Sequence, residues 1–164
     1  MKIAIISDTH ENIPNIDEML KIVKEEKINT IIHCGDVCSA AVMQYLAENF
    51  NGQIHLVEGN VDSDHQHRIK EQNIKNVTFY GKIGEIELDN KKIAFTHRPE
   101  KARELAKNGK YDLIFYGHTH EPWEEVVNKT KLINPGTVAG LFAKPTFALY
   151  DTSIGKLELK ILYT

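Results

Sequence analysis

The chain has 164 residues and a formal net charge of −3, with 41% hydrophobic and 26% charged residues; its mean hydropathy is −0.36 and its pI near 6.2. Such a composition argues against a disordered chain, and the slight acidic balance argues against the basic excess with which proteins grip duplex nucleic acid. The length suits one domain, residues 1–164, able to bury about two-thirds of its unfolded surface without disulfides. Cys34 and Cys38 stand outside any cysteine framework and read as free thiols of a reducing, cytoplasmic compartment. The opening run from Met1 to Ile6 is too short for a signal peptide or a membrane span.

Lys2 to Ile6 reads as a buried strand, followed by a polar loop and a helix in which Ile16, Met19, Leu20 and Val23 recur at helical spacing. The unit repeats: Thr30 to His33 leads into Cys34-Gly35-Asp36 and a helix near Ala40 to Asn49, and a third strand, Gln53 to Val57, ends at Glu58-Gly59-Asn60. Strands joined by helical crossovers run parallel. The second half is richer in strands, at Val77 to Tyr80, Ile83 to Leu88 and Lys92 to Thr96, with Asp89-Asn90-Lys91 as a hairpin signal. A helix near Glu100 to Asn108 closes at Gly109. A strand opening at Leu113 follows, then the pair Trp123 to Val127 and Lys131 to Asn134, the turn Pro135-Gly136, and strands Thr146 to Tyr150 and Leu157 to Leu162. The expected fold is α/β, two sheets packed face to face with helices outside.

Nearly every apolar strand runs into a loop of ligand-type side chains: Asp8 and His10, Gly35-Asp36, Gly59-Asn60, Thr96-His97, and Gly117-His118-Thr119-His120. The carboxyl ends of strands in α/β sheets meet at one edge, so these residues should converge. In extended backbone His118 and His120 would project to the same side and reach one shared point. Glycine directly before Asp36, Asn60 and His118 suits a sharp exit from a strand or a close backbone approach. Taken singly these pairs are common in solvated turns; their recurrence after five strands is what singles them out. Carboxylate, imidazole and amide donors together favour Mn, Fe, Co, Ni or Zn over magnesium alone, and the lack of a thiolate cluster argues against a structural zinc site. The seven side chains Asp8, His10, Asp36, Asn60, His97, His118 and His120 exceed what one ion takes. Two ions about 3.5–4 Å apart that share a carboxylate would use them all and form the clamp known for phosphoester cleavage.

In order and spacing, Asp8-Thr9-His10, Gly35-Asp36, Gly59-Asn60, His97 and Gly117-His118-Thr119-His120 resemble the signature of the calcineurin-like metallophosphoesterases. The short form is similar to the small bacterial and archaeal phosphodiesterases of that superfamily, and Asn134-Pro135-Gly136-Thr137 resembles the family's NPGS turn. The resemblance implies a four-layer β-sandwich flanked by helices. It implies one metal on Asp8, His10 and His120, a second on Asn60, His97 and His118, and Asp36 bridging them. It also implies in-line hydrolysis of a phosphodiester, or another phosphoester, by a hydroxide between the ions, with Mn the leading choice of metal. The partner implied is a small-molecule ester, with no membrane association; homo-oligomers would form through the β-rich edge around Tyr80 to Leu88 and Trp123. A rival reading is a metal-site scaffold that works through protein contacts, as in a membrane-coat complex of the same superfamily. Against it, every matched position keeps a side chain able to bind metal. A DNA-repair nuclease would call for capping elements and a basic surface.

The departures from the family carry their own expectations. Val61 stands where many relatives carry the histidine of GNH, which protonates the leaving group, so Asp62 becomes the candidate general acid, with His65 and His67 behind it. Thr96-His97-Arg98-Pro99 replaces THG; Arg98 either forks onto a substrate phosphate oxygen or faces solvent while Pro99 starts the helix. Asn12 and Asn60 complete the substrate-binding candidates, with an Asx turn before Pro14 as the alternative for Asn12. Glu11 adds a negative charge near the cations; His33 and His55 read as structural.

Overall fold

The computed structural model describes residues 1–62 and 73–163, so His65 and His67 lie outside the described residues. In chain order the first half holds β1 (Lys2–Ile6), α1 (Ile13–Glu25), β2 (Thr30–His33), α2 (Ala40–Glu48), β3 (Gln53–Leu56) and β4 (Val77–Phe79). Then come β5 (Ile83–Leu88), β6 (Lys91–Thr96), α3 (Pro99–Lys107), β7 (Leu113–Phe115), β8 (Trp123–Val127), β9 (Thr130–Asn134), β10 (Thr146–Asp151) and β11 (Lys156–Ile161).

In β1 the run Ile3, Ala4, Ile5, Ile6 is wholly buried. A strand buries such a run only where both faces are covered, because successive side chains point to opposite sides. Ala4 and Ile6 enter the core under α1 and α2, whereas Ile3 and Ile5 enter the core between the two sheets. The same alternation sends Ile31, Phe147 and Leu149 to the helices and Ile32, Ala148 and Tyr150 to the sandwich. Helix α1 meets this surface with Ile16, Met19, Leu20 and Val23, its start fixed by Asn12 as N-cap and by Pro14 in its first turn.

The first sheet has the order β11-β10-β1-β2-β3-β4 and the second β5-β6-β7-β9-β8. β1 to β4 run parallel, as do β6, β7 and β9; β10 lies antiparallel to β1. In the second sheet Ile93, Phe95, Leu113, Phe115 and Ile133 face the first sheet, while Ala94, Ile114 and Leu132 face Ala102 and Ala106 of α3. The layers therefore run helix, sheet, sheet, helix, the α/β sandwich expected from the sequence.

The hairpin between β5 and β6 turns on Asp89 and Asn90 alone, both with positive φ (48° and 60°), and Lys91 already lies in the strand. The two surfaces expected to self-associate belong to edge strands, β5 and β8, on opposite sides of the second sheet. Among the described residues no helix is long and apolar enough to cross a membrane.

Candidate metal centre

β1, β2, β3, β6 and β7 deliver their carboxyl ends to one edge, where five loops hold one another backbone to backbone. The Asp8 N–H donates to Gly35 O (2.9 Å), the His10 N–H to Asp36 O (3.0 Å), and the Gly117 N–H to His97 O (3.0 Å). The glycines of the sequence motifs sit where these loops touch. A Cβ on Gly59 would lie 2.0 Å from Asp36 Oδ1, and one on Gly117 would lie 1.8 Å from Ser7 Oγ and 2.8 Å from Asp8 Oδ2, so no larger residue fits.

Asp8, His10 and His120 offer ligand atoms within 4.8 Å of one another, and so do Asp8, Asp36 and His97. In the first group His120 donates its Nδ1–H to Leu141 O (2.9 Å), which leaves the lone pair of the neutral ring on Nε2. That atom lies 3.2 Å from Asp8 Oδ1. Asp8 Oδ1 and His10 Nε2 are buried without a hydrogen-bond partner among the described residues, as is Ser7 Oγ. Behind the ring, His10 Nδ1 meets Cys38 Sγ at 3.0 Å.

Around His97 the design repeats with Asn60 and His118, and these three side chains form the second group. His97 donates Nδ1–H to Cys34 O (2.8 Å), and its Nε2 lies 2.9 Å from Asn60 Oδ1, 3.2 Å from His118 Nδ1 and 3.4 Å from Asp36 Oδ2. His118 Nδ1 is itself 2.8 Å from Asn60 Oδ1. Both groups thus point lone pairs at lone pairs across about 3 Å, an arrangement that only a proton or a metal cation placed among them makes favourable. The backbone carbonyls behind His97 and His120 are the support that metal-binding histidines ordinarily have. The residues present fit divalent cations.

The ionisation of the site reports the same demand. Burial works to lower His97, but its hydrogen bond to Asp36 and the Asp36 and Asp8 charges raise it above the ordinary histidine value. Asp8 raises His120 against a smaller opposing effect of burial. Burial, then the neighbouring His97 and Arg98, lower His118. Burial would raise Asp36, yet contacts with His97, the Val61 N–H and His10 bring it below the usual carboxylate value. Burial and the surrounding carboxylates push the Cys38 thiol up to about 12, so it stays protonated beside His10.

Several expectations change. His118 and His120 do not share a point: both adopt left-handed backbone (φ 74° and 62°) rather than extended backbone, and His118 lies against Asn60 and His97 while His120 lies against Asp8. Asp62 is not placed as a general acid. Only 2% exposed, it accepts backbone N–H groups from Val37 and Cys38 on Oδ1 (both 2.9 Å) and from Asp36 and Gly59 on Oδ2 (both 2.8 Å), bracing two ligand loops. Asn12 does not reach a substrate site either, since Nδ2 donates to Ala139 O (2.9 Å) and Oδ1 accepts the Asn15 N–H (3.2 Å). Arg98 is exposed at the N-cap of α3, with its side chain free of any capping bond. His33 is a buried core histidine, held by the Gly35 N–H on Nδ1 and Thr9 Oγ1 on Nε2. His55 pairs with the Tyr80 hydroxyl.

Two neighbours of the site were not among its expected residues. Cys38 stands two positions beyond Asp36, a proximity that could have drawn it in. Phe142 offers no such signal: it is fully exposed at a positive φ (63°), its ring stacked on His120 at 6.3 Å.

The calcineurin-like phosphoesterase superfamily domain matches residues 1–155. The chain belongs to this family. Phosphodiesterase MJ0936 of Methanocaldococcus jannaschii is 38% identical to this family member over 157 residues, covering 93% of each chain. A solved archaeal phosphodiesterase superposes with a TM-score of 0.90 at 34% identity, over 99% of this chain and all of that one. The fold also extends to Vps29 of Entamoeba histolytica, solved with zinc, at a TM-score of 0.70 and 18% identity over 99% of this chain and 98% of that one.

Proposed function

We propose that this metallophosphoesterase is a two-metal phosphodiesterase acting on a small-molecule ester in the cytoplasm. Asp8, His10 and His120 hold one divalent cation and Asn60, His97 and His118 the other, with Mn the leading choice among Mn, Fe, Co, Ni and Zn. Asp36 is the shared ligand, a role supported by its place between the two groups, its carboxylate lying within 4.8 Å of the ligand atoms of Asp8 and of His97. The observation that carries the reading is the pair of lone-pair knots with buried, unpartnered Asp8 Oδ1 and His10 Nε2.

When bound, the two cations supply Lewis-acid activation of water and neutralise charge on the phosphoryl oxygens. The chain's own contribution is position. The Leu141 and Cys34 carbonyls fix the tautomers of His120 and His97, and Asp62 clamps the loops of Asp36 and Asn60 together. His10, Asp36, Asn60, His118 and His120 line an open cavity of about 410 Å³ with Val61 and Phe142 at its wall, where the ester would sit. Arg98 extends toward the second group and offers its guanidinium to a phosphate oxygen. With Val61 in place of a histidine and Asp62 engaged by backbone, no described side chain is set to protonate a leaving group, so aryl esters should react faster than alkyl esters.

The second reading, a scaffold acting through protein contacts, draws on the exposed Val61, Leu141 and Phe142 around the same mouth. Hydrolysis separates the two. Metal-stripped protein titrated with Mn, Ni, Co or Mg should gain turnover of bis(p-nitrophenyl) phosphate in preference to p-nitrophenyl phosphate. Asp36→Ala should lose at least about a thousandfold in kcat/KM along with metal, retaining the fold. Turnover retained in Asp36→Ala would remove its assignment as shared ligand, and no turnover with two cations bound would favour the scaffold.

A further inference from the structure

A second cavity, of about 650 Å³, opens directly off the metal centre, because Asn60 and His97 belong to its wall as well as to the second ligand group. Its remaining charged lining is Lys82, Arg98 and Lys101, against the single carboxylate of Glu58. The three cations hang from fixed backbone. Lys82 precedes β5, and its carbonyl accepts the hydroxyl of buried Thr96, the residue before His97 (3.0 Å). Arg98 is the N-cap of α3, and Lys101 stands three residues on, so both project from one side of the helix start. Lys101 is engaged only by Glu104 in an exposed pair within the same helix (2.8 Å), a contact that holds little free energy. Among the described residues Lys82 and Arg98 have no carboxylate partner. The N-terminal end of α3, left uncapped by the Arg98 side chain, adds its dipole in the same sense.

Against these three positive charges the described lining sets the one carboxylate of Glu58, and Glu104 engages Lys101, so the concave space keeps a positive excess. A substrate phosphate at the metals would already have its counter-charge in the cations and Arg98, so Lys82 and Lys101 answer to a different group. We propose that this cavity is a specificity site for a second phosphate, carried on one arm of the phosphodiester that the metal centre cleaves. Lys82 and Lys101 bind it as point charges, and Arg98 lies between it and the scissile phosphate. The inference rests on the two-metal phosphodiesterase reading and deepens it: the substrate class is a diester with a phosphate monoester on its alcohol arm, rather than a diester with two neutral arms.

The test compares two esters with one leaving group, the p-nitrophenyl ester of thymidine 5′-phosphate and the same compound bearing a 3′-phosphate, on the Mn-loaded enzyme. The phosphorylated ester should have a kcat/KM higher by about tenfold at low salt, mainly through KM, with the advantage shrinking in 0.5 M NaCl on the order expected for exposed charges. The double variant Lys82→Ala/Lys101→Ala should lose the advantage while cleaving the plain ester as before. Equal kcat/KM for the two esters in the wild type, or an advantage that persists in the double variant, overturns the specificity site while leaving the phosphodiesterase reading intact. Should neither ester be cleaved, the phosphodiesterase reading fails by itself, and calorimetry still decides the cavity. Thymidine 3′,5′-bisphosphate should then bind the Mn-loaded wild type more tightly than thymidine 5′-phosphate does, and the double variant should bind both alike; equal binding in the wild type refutes the proposal.

Discussion

Replacing Asp62 by Asn keeps the shape of the side chain and removes one acceptor oxygen. Each carboxylate oxygen accepts two backbone N–H groups, Val37 and Cys38 on one and Asp36 and Gly59 on the other. Whichever way the amide is turned, its NH2 faces a pair of buried donors that have lost their acceptor. At about 1–3 kcal/mol for each unsatisfied buried donor, the cost is roughly 2–6 kcal/mol, a large part of the ~5–15 kcal/mol that holds a domain folded. For a chain of this length, about 2–4 °C accompanies each kcal/mol, so the midpoint of thermal unfolding should fall by about 10 °C. Circular dichroism melts of metal-free Asp62→Asn would show it. Because the loops of Asp36 and Asn60 lose their clamp, activity on aryl and alkyl diesters should fall together, in step with weaker Mn binding. An unchanged melting point with slowing confined to alkyl esters would refute this account and restore Asp62 as an acid.

The folded state holds His33 neutral, its pKa lowered to about 4 from 6.5 by burial. The unfolded chain therefore takes up that proton first as pH falls, and stability drops from about pH 6.5 downward, by about 1.4 kcal/mol per unit and about 3 kcal/mol in all by pH 4. His97 and His120, raised in the metal-free fold, titrate in the opposite sense. The quantity to measure is thus the difference in pH slope of urea-unfolding free energy between wild type and His33→Asn, and parallel slopes would refute the assignment. The same raised histidines mean that cations compete with protons. Mn binding should weaken as the pH falls through these raised histidine values and release up to about two protons, read by calorimetry in buffers of different ionisation enthalpy; binding independent of pH would show that these rings are not ligands. Asn12→Ala should cost about 1 kcal/mol as a lost helix cap with KM unchanged, and a raised KM at unchanged stability would return Asn12 to the substrate.

The strands were legible because their apolar runs admit one explanation. Ile3 to Ile6 must be covered on both faces, and the chain has helical and sheet surfaces to cover them. Convergence of Asp8, Asp36, Asn60, His97 and His118 was legible for a related reason, since parallel strands bring their carboxyl ends to one edge. What a one-dimensional pattern could not carry is the direction of each side chain once the strand has ended. Extended geometry predicts one point for His118 and His120, and a left-handed turn at each sends them apart. Asp62 carries no mark in the sequence that its oxygens fold back onto Asp36, Val37, Cys38 and Gly59 rather than outward. Phe142 lies 22 positions beyond His120 in a segment without periodicity, and only the closing of the loop around Ala139 to Pro145 brings the two rings together.

Asp8, His10, Asp36, His118 and His120 all sit at positive φ, between 43° and 74°. A left-handed backbone costs roughly 1–2 kcal/mol at a residue with a Cβ, somewhat less for Asp, a strain that glycine would relieve while giving up the bonds that the Asp8 and Asp36 carboxylates accept from the His118 and Val61 N–H groups. Where one of these side chains is removed, glycine is the replacement that relieves the strain, and Asp36→Gly should unfold later than Asp36→Ala. Five of the seven side chains proposed as metal ligands are thus carried on backbone that the rest of the fold holds against its own preference.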